Sequence, residues 1–397
     1  MKNKALSLLF AMLSPLLLYS EGRPYVTGEW GGARQNLSKW GVDIGSDLIL
    51  DATWNLHGGK KRQGAKVEYL FDLNVSLKSE KLLHYPGGLF FVDFETHQGA
   101  TPSVSLIGSF DFIDNIETQH FTELYALWYR QSFLDEALWF QVGKSDAYDH
   151  FSIAKHASLF LNSGFTFLPS STFFPTYPDT AMSVVASATF VKGVSMTLGV
   201  FDGSFADGFN TGKAGVFGHF FHHLGSHAYL IGEVDFEWNQ DKGFNGRLGI
   251  GGWRDTAKFD VFGGGTKSGT GGPYVTLDQT LLKTEKVGDI GAFFIYGSAN
   301  PRVSEVHRYF GTGVSWKSPF YFSRVKDVVG IGMSRIQFSH KKGSGFSKMF
   351  ETAYELFYLL QITPWFYIEP DIQYITHPGG KGLPNATAFT LRLDANL

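Results

Sequence analysis

The sequence predicts an all-β chain, a transmembrane antiparallel β-barrel of about 16 strands. Three observations carry that expectation. Beyond Tyr19, no window approaches the roughly eighteen consecutive apolar residues that a membrane helix requires. The composition combines 38 Phe, 17 Tyr and 9 Trp with 47 Gly and only 18% charged residues. Aromatic girdles, tight turns and a lipid-facing band together produce that mixture. Finally, apolar and polar residues alternate at period two in segment after segment, as they must where successive side chains point to opposite faces of one sheet.

The chain opens with Lys2 and Lys4, followed by the apolar run Ala5 to Tyr19. That run is too short to span a bilayer and suits the hydrophobic region of a secretory signal. Residues 1–22 are therefore read as a signal peptide, with Ser20 and Gly22 as the small residues at the minus-three and minus-one positions of a cut after Gly22; a cut after Ser20 is the other option. Residues 23–41 are expected to form an N-terminal periplasmic segment, in which Ala33 to Trp40 can make a short helix carrying Arg34. Residues 42–397 are expected to be the barrel domain.

The alternation begins at once. Val42, Ile44, Leu48, Leu50, Ala52, Trp54 and Leu56 take one parity, and Asp43, Asp47, Asp51, Thr53 and Asn55 take the other. Val67, Tyr69, Phe71, Leu73 and Val75 then oppose Glu68, Asp72, Asn74 and Ser76. Further on, Val234, Phe236 and Trp238 oppose Glu233, Asp235 and Glu237, while Phe366, Ile368, Ile372 and Tyr374 oppose Glu369, Asp371 and Gln373. Carboxylates keep landing on one side, the expected lumen. A soluble β-sandwich also alternates, but its strands are more closely spaced and its apolar face holds fewer Tyr and Trp at strand ends.

Between turn signals the strands fall at 42–56, 66–79, 88–97, 121–133, 138–145, 181–190, 194–201 and 228–238. The second half places them at 246–258, 272–283, 287–297, 308–316, 328–338, 351–361, 366–376 and 386–396. The resulting sixteen is even, as single-chain bacterial barrels require. Long connections at 57–65, 98–120, 146–180, 202–227, 259–271, 298–307, 339–350 and 377–385 alternate with tight turns such as Phe133 to Ala137. Because extracellular loops are long and periplasmic turns short, both termini are expected on the periplasmic side.

Other function classes lose ground on composition. With no cysteine there is no disulfide framework or thiol chemistry, and a net charge of −3 gives no case for nucleic acid as a partner. No cofactor is called for. His219, His222, His223 and His227 cluster in one loop, but the adjacent Phe217, Phe220 and Phe221 favour a packed segment over a metal site. Gly263-Gly264-Gly265-Thr266-Lys267-Ser268 lacks the spacing of a phosphate-binding loop and no helix follows it, so it is read as a flexible extracellular loop.

Several words of the sequence, spread over most of the chain, resemble the carbohydrate-selective porin (OprB) family. They include Gly28-Glu29-Trp30-Gly31-Gly32-Ala33-Arg34, Phe160-Leu161-Asn162-Ser163 with Pro175-Thr176-Tyr177-Pro178, and Leu248-Gly249-Ile250-Gly251-Gly252-Trp253. The run from Glu351 through Gln361-Ile362-Thr363-Pro364-Trp365 to His377-Pro378-Gly379-Gly380 is the most specific. One departure is Leu397 in the final position, where the family usually has an aromatic residue that the barrel-assembly machinery reads. The resemblance implies a monomeric barrel in the Gram-negative outer membrane whose extracellular loops fold inward to form a constriction. It also implies passive transport of small sugars, mono- and oligosaccharides such as glucose.

A sugar pore needs donors and acceptors that replace water around hydroxyls, and aromatic faces for the apolar side of the ring. The inner parity supplies Asp43, Asp47, Glu68, Asp72, Asp93, Glu95, Glu123, Glu233, Asp235 and Arg247. Arg34, Asp93, Glu95, Arg247 and Trp253 are expected at the constriction; the plainer alternative for each is a solvated barrel wall. An acidic lumen also suits cationic solutes such as arginine, by raising their local concentration. A barrel enzyme would need a nucleophile with His and a carboxylate at one rim, and the adjacent Ser339-His340 offers no such set. A structural or adhesive barrel is a further alternative.

Overall fold

The structure, a computed structural model, describes residues 24–214, 227–240, 243–320 and 324–397. The expected signal peptide and His219, His222 and His223 lie outside them. Sixteen strands form one closed barrel in which each strand is antiparallel to its chain neighbours and the last closes on the first. The strands are β1 Val42–His57, β2 Gly64–Lys78, β3 Gly88–Gly99, β4 Phe121–Phe133, β5 Leu138–Ser145, β6 Ala181–Val191, β7 Val194–Asp202 and β8 Ala228–Trp238. They continue as β9 Gly246–Asp260, β10 Thr266–Thr284, β11 Gly288–Ser298, β12 Val306–Lys317, β13 Val328–Phe338, β14 Phe350–Thr363, β15 Phe366–Thr376 and β16 Ala386–Asn396.

Closure has a physical reason. An open edge would leave backbone N–H and C=O groups unpaired in hydrocarbon, at several kcal/mol each. Instead β1 and β16 pair from Asp47 opposite Asn396 to His57 opposite Thr387. The outward parity stays exposed and apolar, as Phe94, Phe140, Leu198, Ile250, Ile331 and Tyr354 illustrate. In water so broad an apolar surface would aggregate; in a bilayer it is the solvated face.

Strand ends agree with the alternation to within two residues, with one exception. β10 starts at Thr266, because Thr266, Lys267 and Ser268 pair with Asp260, Phe259 and Lys258. The long loop expected at 259–271 is thus a tight turn, Val261 to Gly265. Its glycines carry the reversal, with φ of +88°, +110° and +86° at Gly263, Gly264 and Gly265. These angles lie where a Cβ is disfavoured.

A helix, α1 (Ala33–Trp40), precedes β1 at the short-turn end of the barrel. It starts after Gly32 and stops at Gly41, both left-handed, and the Gly41 amide caps it on the Ser38 carbonyl at 3.0 Å.

Candidate pore site

What distinguishes this barrel from an empty cylinder is two connections, 100–120 and 146–180, that pack against the inward parity of the wall. Carboxylates on the strands hold them by their backbone. Glu351 on β14 accepts from the amides of Phe110 and Asp111 at 2.9 Å each. Glu355, four residues further along the same face, accepts from Leu161 at 2.6 Å and Asn162 at 3.0 Å. Asp278 on β10 accepts from Lys155 at 2.9 Å and His156 at 3.0 Å, and Glu233 on β8 accepts from Ser152 at 2.9 Å. Backbone N–H groups of a buried loop need such acceptors, since an unpaired one costs about 1–3 kcal/mol.

The apolar side of the same loop meets aromatic wall. Phe160 lies 5.3 Å from Phe293 and 4.9 Å from Phe357, and Phe165 lies 5.7 Å from Phe293, all edge to face. Missing side chains make the room: a Cβ on Gly332 would sit 2.6 Å from the Phe160 ring, and one on Gly291 would sit 1.9 Å from His156. The inward residues of β6 to β13 are therefore covered; Val185, Phe201, Tyr274 and Ile336 are fully buried.

The open part of the lumen lies on the other side. Its half-buried, inward-parity residues are Asp47 on β1, Asp72 on β2, Arg130 on β4, Trp139 on β5 and Asp394 on β16, with Asp149 exposed on the facing loop. Arg130 lies 4.4 Å over the Trp139 ring and 5.0 Å from Trp128, and donates to Gln141 Oε1 at 2.7 Å from Nη2. His150 faces the same Trp139, with ring centres 5.3 Å apart. Charge and aromatic ring thus converge at one gap, with the Gln141 amide buried beneath the guanidinium.

The residues expected at the constriction separate into groups. Asp93 and Glu95 sit on the inner wall of β3, directly beside Asp72. Arg247 is a loop anchor: Nη1 donates to the Ile153 carbonyl at 2.6 Å, while Nη2 pairs with Glu233 and, at 2.6 Å, Asp235. Trp253 is buried and stacks on Tyr229, with centroids 5.8 Å apart and planes 6° apart. Arg34 stands on α1 at the periplasmic rim, away from the loops. Its Nη2 donates to the Leu397 carbonyl at 3.0 Å and its guanidinium covers the Tyr25 ring at 3.7 Å. Arg130, Trp139 and Asp149, absent from the residues expected at the constriction, stand at the open gap instead. In the loop of clustered histidines, His227 Nε2 lies 3.2 Å from Asp207.

A closed sixteen-stranded barrel with an apolar belt, a polar lumen and its own loops packed inside is an outer-membrane porin. The family model of the carbohydrate-selective porin, OprB family, matches residues 62–397, and the chain belongs to that family. Porin B of Pseudomonas aeruginosa is 23% identical over 91% of this chain and 88% of its own length. The high-pH structure of Pseudomonas putida OprB superimposes with a TM-score of 0.82 at 21% identity, covering 95% of this chain and 99% of that one. The outer-membrane channel DcaP of Acinetobacter baumannii gives a TM-score of 0.55 at 6% identity, covering 90% and 97%. The chain is accordingly a carbohydrate porin of the Gram-negative outer membrane.

Proposed function

We propose that mono- and oligosaccharides such as glucose cross this barrel by passive diffusion, through the gap between Asp149 and the wall at Arg130 and Trp139. The observation that carries this reading is Arg130 lying 4.4 Å over Trp139 beside Gln141. The exposed part of the Trp139 ring meets the apolar side of a sugar ring, while the guanidinium, braced from beneath by the buried Gln141, replaces water at its hydroxyls. Binding of this kind is weak enough to release the solute at the far side. Asp93 and Glu95 contribute to the field of the gap; Arg247 and Trp253 shape it from beneath the loop; Arg34 secures the N-terminal segment, residues 23–41, at the periplasmic mouth. The barrel works without a cofactor, performs no catalysis, sits as a monomer in outer-membrane lipid and is inserted by the barrel-assembly machinery.

Planar-bilayer conductance of the refolded protein, titrated with glucose and then with arginine, tests the reading. Saturable block by glucose is the expected result. Block by arginine with indifference to sugars would shift the cargo to cationic solutes, and absence of conductance would overturn transport altogether.

A further inference from the structure

Asp72, Asp93 and Glu95 occupy one patch of the inner wall. Asp72 is the register partner of Glu95, and Asp93 lies two residues along the same strand on the same face. One carboxylate oxygen from each residue lies within 4.8 Å of the corresponding oxygens of the other two. Two unit charges about 5 Å apart repel by roughly 3 kcal/mol at an effective dielectric of about 20. The sheet holds the three backbones in register, which limits how far the side chains can spread.

A second observation concerns unmet bonding capacity. Asp93 and Glu95 are 6% and 7% exposed, and each keeps a buried oxygen, Asp93 Oδ1 and Glu95 Oε2, without a hydrogen-bond donor. Buried carboxylates are ordinarily paired or coordinate metals. Here the surroundings add acid: Asp47 is opposite Asp72 on β1, and Glu123 is opposite Glu95 on β4. Among the described residues no Lys or Arg forms an ion pair with any of the three. The neighbouring side-chain donor is neutral, Asn74 giving its amide to Asp72 Oδ1 at 2.8 Å.

We propose that Asp72, Asp93 and Glu95 bind a hard divalent cation of Ca²⁺ size from the lumen. Ca²⁺ takes six to eight oxygens at about 2.3–2.6 Å in flexible geometry, so two bonds of about 2.4 Å span the oxygen spacing found here. Mg²⁺, with bonds of about 2.1 Å and a strict octahedron, fits a three-carboxylate wall less well. The half-buried Asp72 gives the ion its entry, and water completes the shell. The bound ion offsets most of the patch's charge and so lowers the preference of the pore for cations. This inference does not depend on which solute crosses.

The test is calorimetric titration of the refolded full-length barrel in detergent with CaCl₂ and, in parallel, MgCl₂. One saturable Ca²⁺ site per chain is expected, with a dissociation constant on the order of 10⁻⁴–10⁻³ M and weaker Mg²⁺ binding. Asp72→Asn and Glu95→Gln are each expected to weaken Ca²⁺ binding by about tenfold or more. Asp43→Asn, at a lumen carboxylate already paired with Lys78 at 2.8 Å, is expected to leave it unchanged. If Glu95→Gln fails to fold, judged by heat-modifiable migration, Asp72→Asn at the half-buried position decides alone. Absence of saturable binding, or equal weakening by Asp43→Asn and Asp72→Asn, would overturn the site in favour of diffuse attraction. As a second readout, Ca²⁺ should shift the reversal potential in a KCl gradient for the parent protein and not for Asp72→Asn; an equal shift in both would also overturn it.

Discussion

Arg392 on the closing strand donates from Nη2 to Asp114 at 2.9 Å, joining the wall of the barrel to a loop folded inside it. The same guanidinium holds Asp51 across the β1–β16 seam, with Nη2 at 2.7 Å from Oδ2. One buried cation therefore serves both barrel closure and loop position. Replacing it strands two buried carboxylates, which typically costs about 3–5 kcal/mol. Arg392→Met is expected to lower the temperature at which heat-modifiable migration is lost, and to raise single-channel conductance as the 100–120 loop comes away. Unchanged conductance would show that Asp114 does not hold the loop in place.

Glu355 makes the corresponding anchor for the longer loop. Its two oxygens take the consecutive amides of Leu161 and Asn162, at 2.6 and 3.0 Å. In Glu355→Gln one of those oxygens becomes an NH₂ that faces an N–H, so a bond is lost and a donor is left buried, at about 1–3 kcal/mol. Hydrogen exchange should quicken at Leu161 and Asn162 while the strand amides of β13 and β14 keep their protection. Exchange that rises equally across the barrel would point to global destabilisation instead.

The alternation along the chain made the barrel legible because lipid and water select opposite parities on every strand, so that the pattern needs no knowledge of partners. Its failure on β4 is instructive. Glu123 pairs with Glu95 and faces inward, yet beyond a bulge beside Tyr125 the inward residues are Ala126, Trp128 and Arg130. The extra residue inverts the parity, which hid Arg130 and with it the match to Trp139. Arg34 was misplaced for a different reason: its partner is the carbonyl of Leu397, at the other end of the chain, and no local pattern encodes that bond. Loop anchors such as Glu351 and Glu355 share the inward parity of β14. Their role does not follow from that parity, because it depends on where a distant loop lies.

Arg130 and Trp253 separate a lumen role from a packing role. Arg130 is half-buried at the open gap, whereas Trp253 is 5% exposed beneath the loop. Arg130→Ala removes charged donors from the proposed sugar path, worth about 1.5–3 kcal/mol where a bond to solute is made. Glucose block should weaken roughly tenfold or more, by the 1.4 kcal/mol per decade relation. Trp253→Phe should leave the block constant within about twofold and lower thermal stability by about 1–3 kcal/mol. Equal loss of block in both would remove Arg130 from the path.

Asp327 closes the periplasmic turn before β13 and offers a test with a defined pH sign. Burial works against its charge, but Arg324 Nε at 2.6 Å, Tyr358 Oη at 2.6 Å and the Gln361 amide at 3.1 Å outweigh that cost. The carboxyl is held below its ordinary value of 3.8. A group whose folded pKa is depressed stabilises the fold above its unfolded pKa and ceases to do so as pH falls through the folded one. The contribution is thus fully present at neutral pH and fades below about pH 4. Asp327→Asn loses the charge-assisted bonds, at about 1–3 kcal/mol near pH 7, with Arg324 partly solvated and the lower end favoured. Unfolding midpoints of parent and variant should differ at pH 7 and converge as the pH drops below 4. A gap that stays constant down to pH 3 would mean that the neutral amide is lost on shape alone, with no part played by the charge.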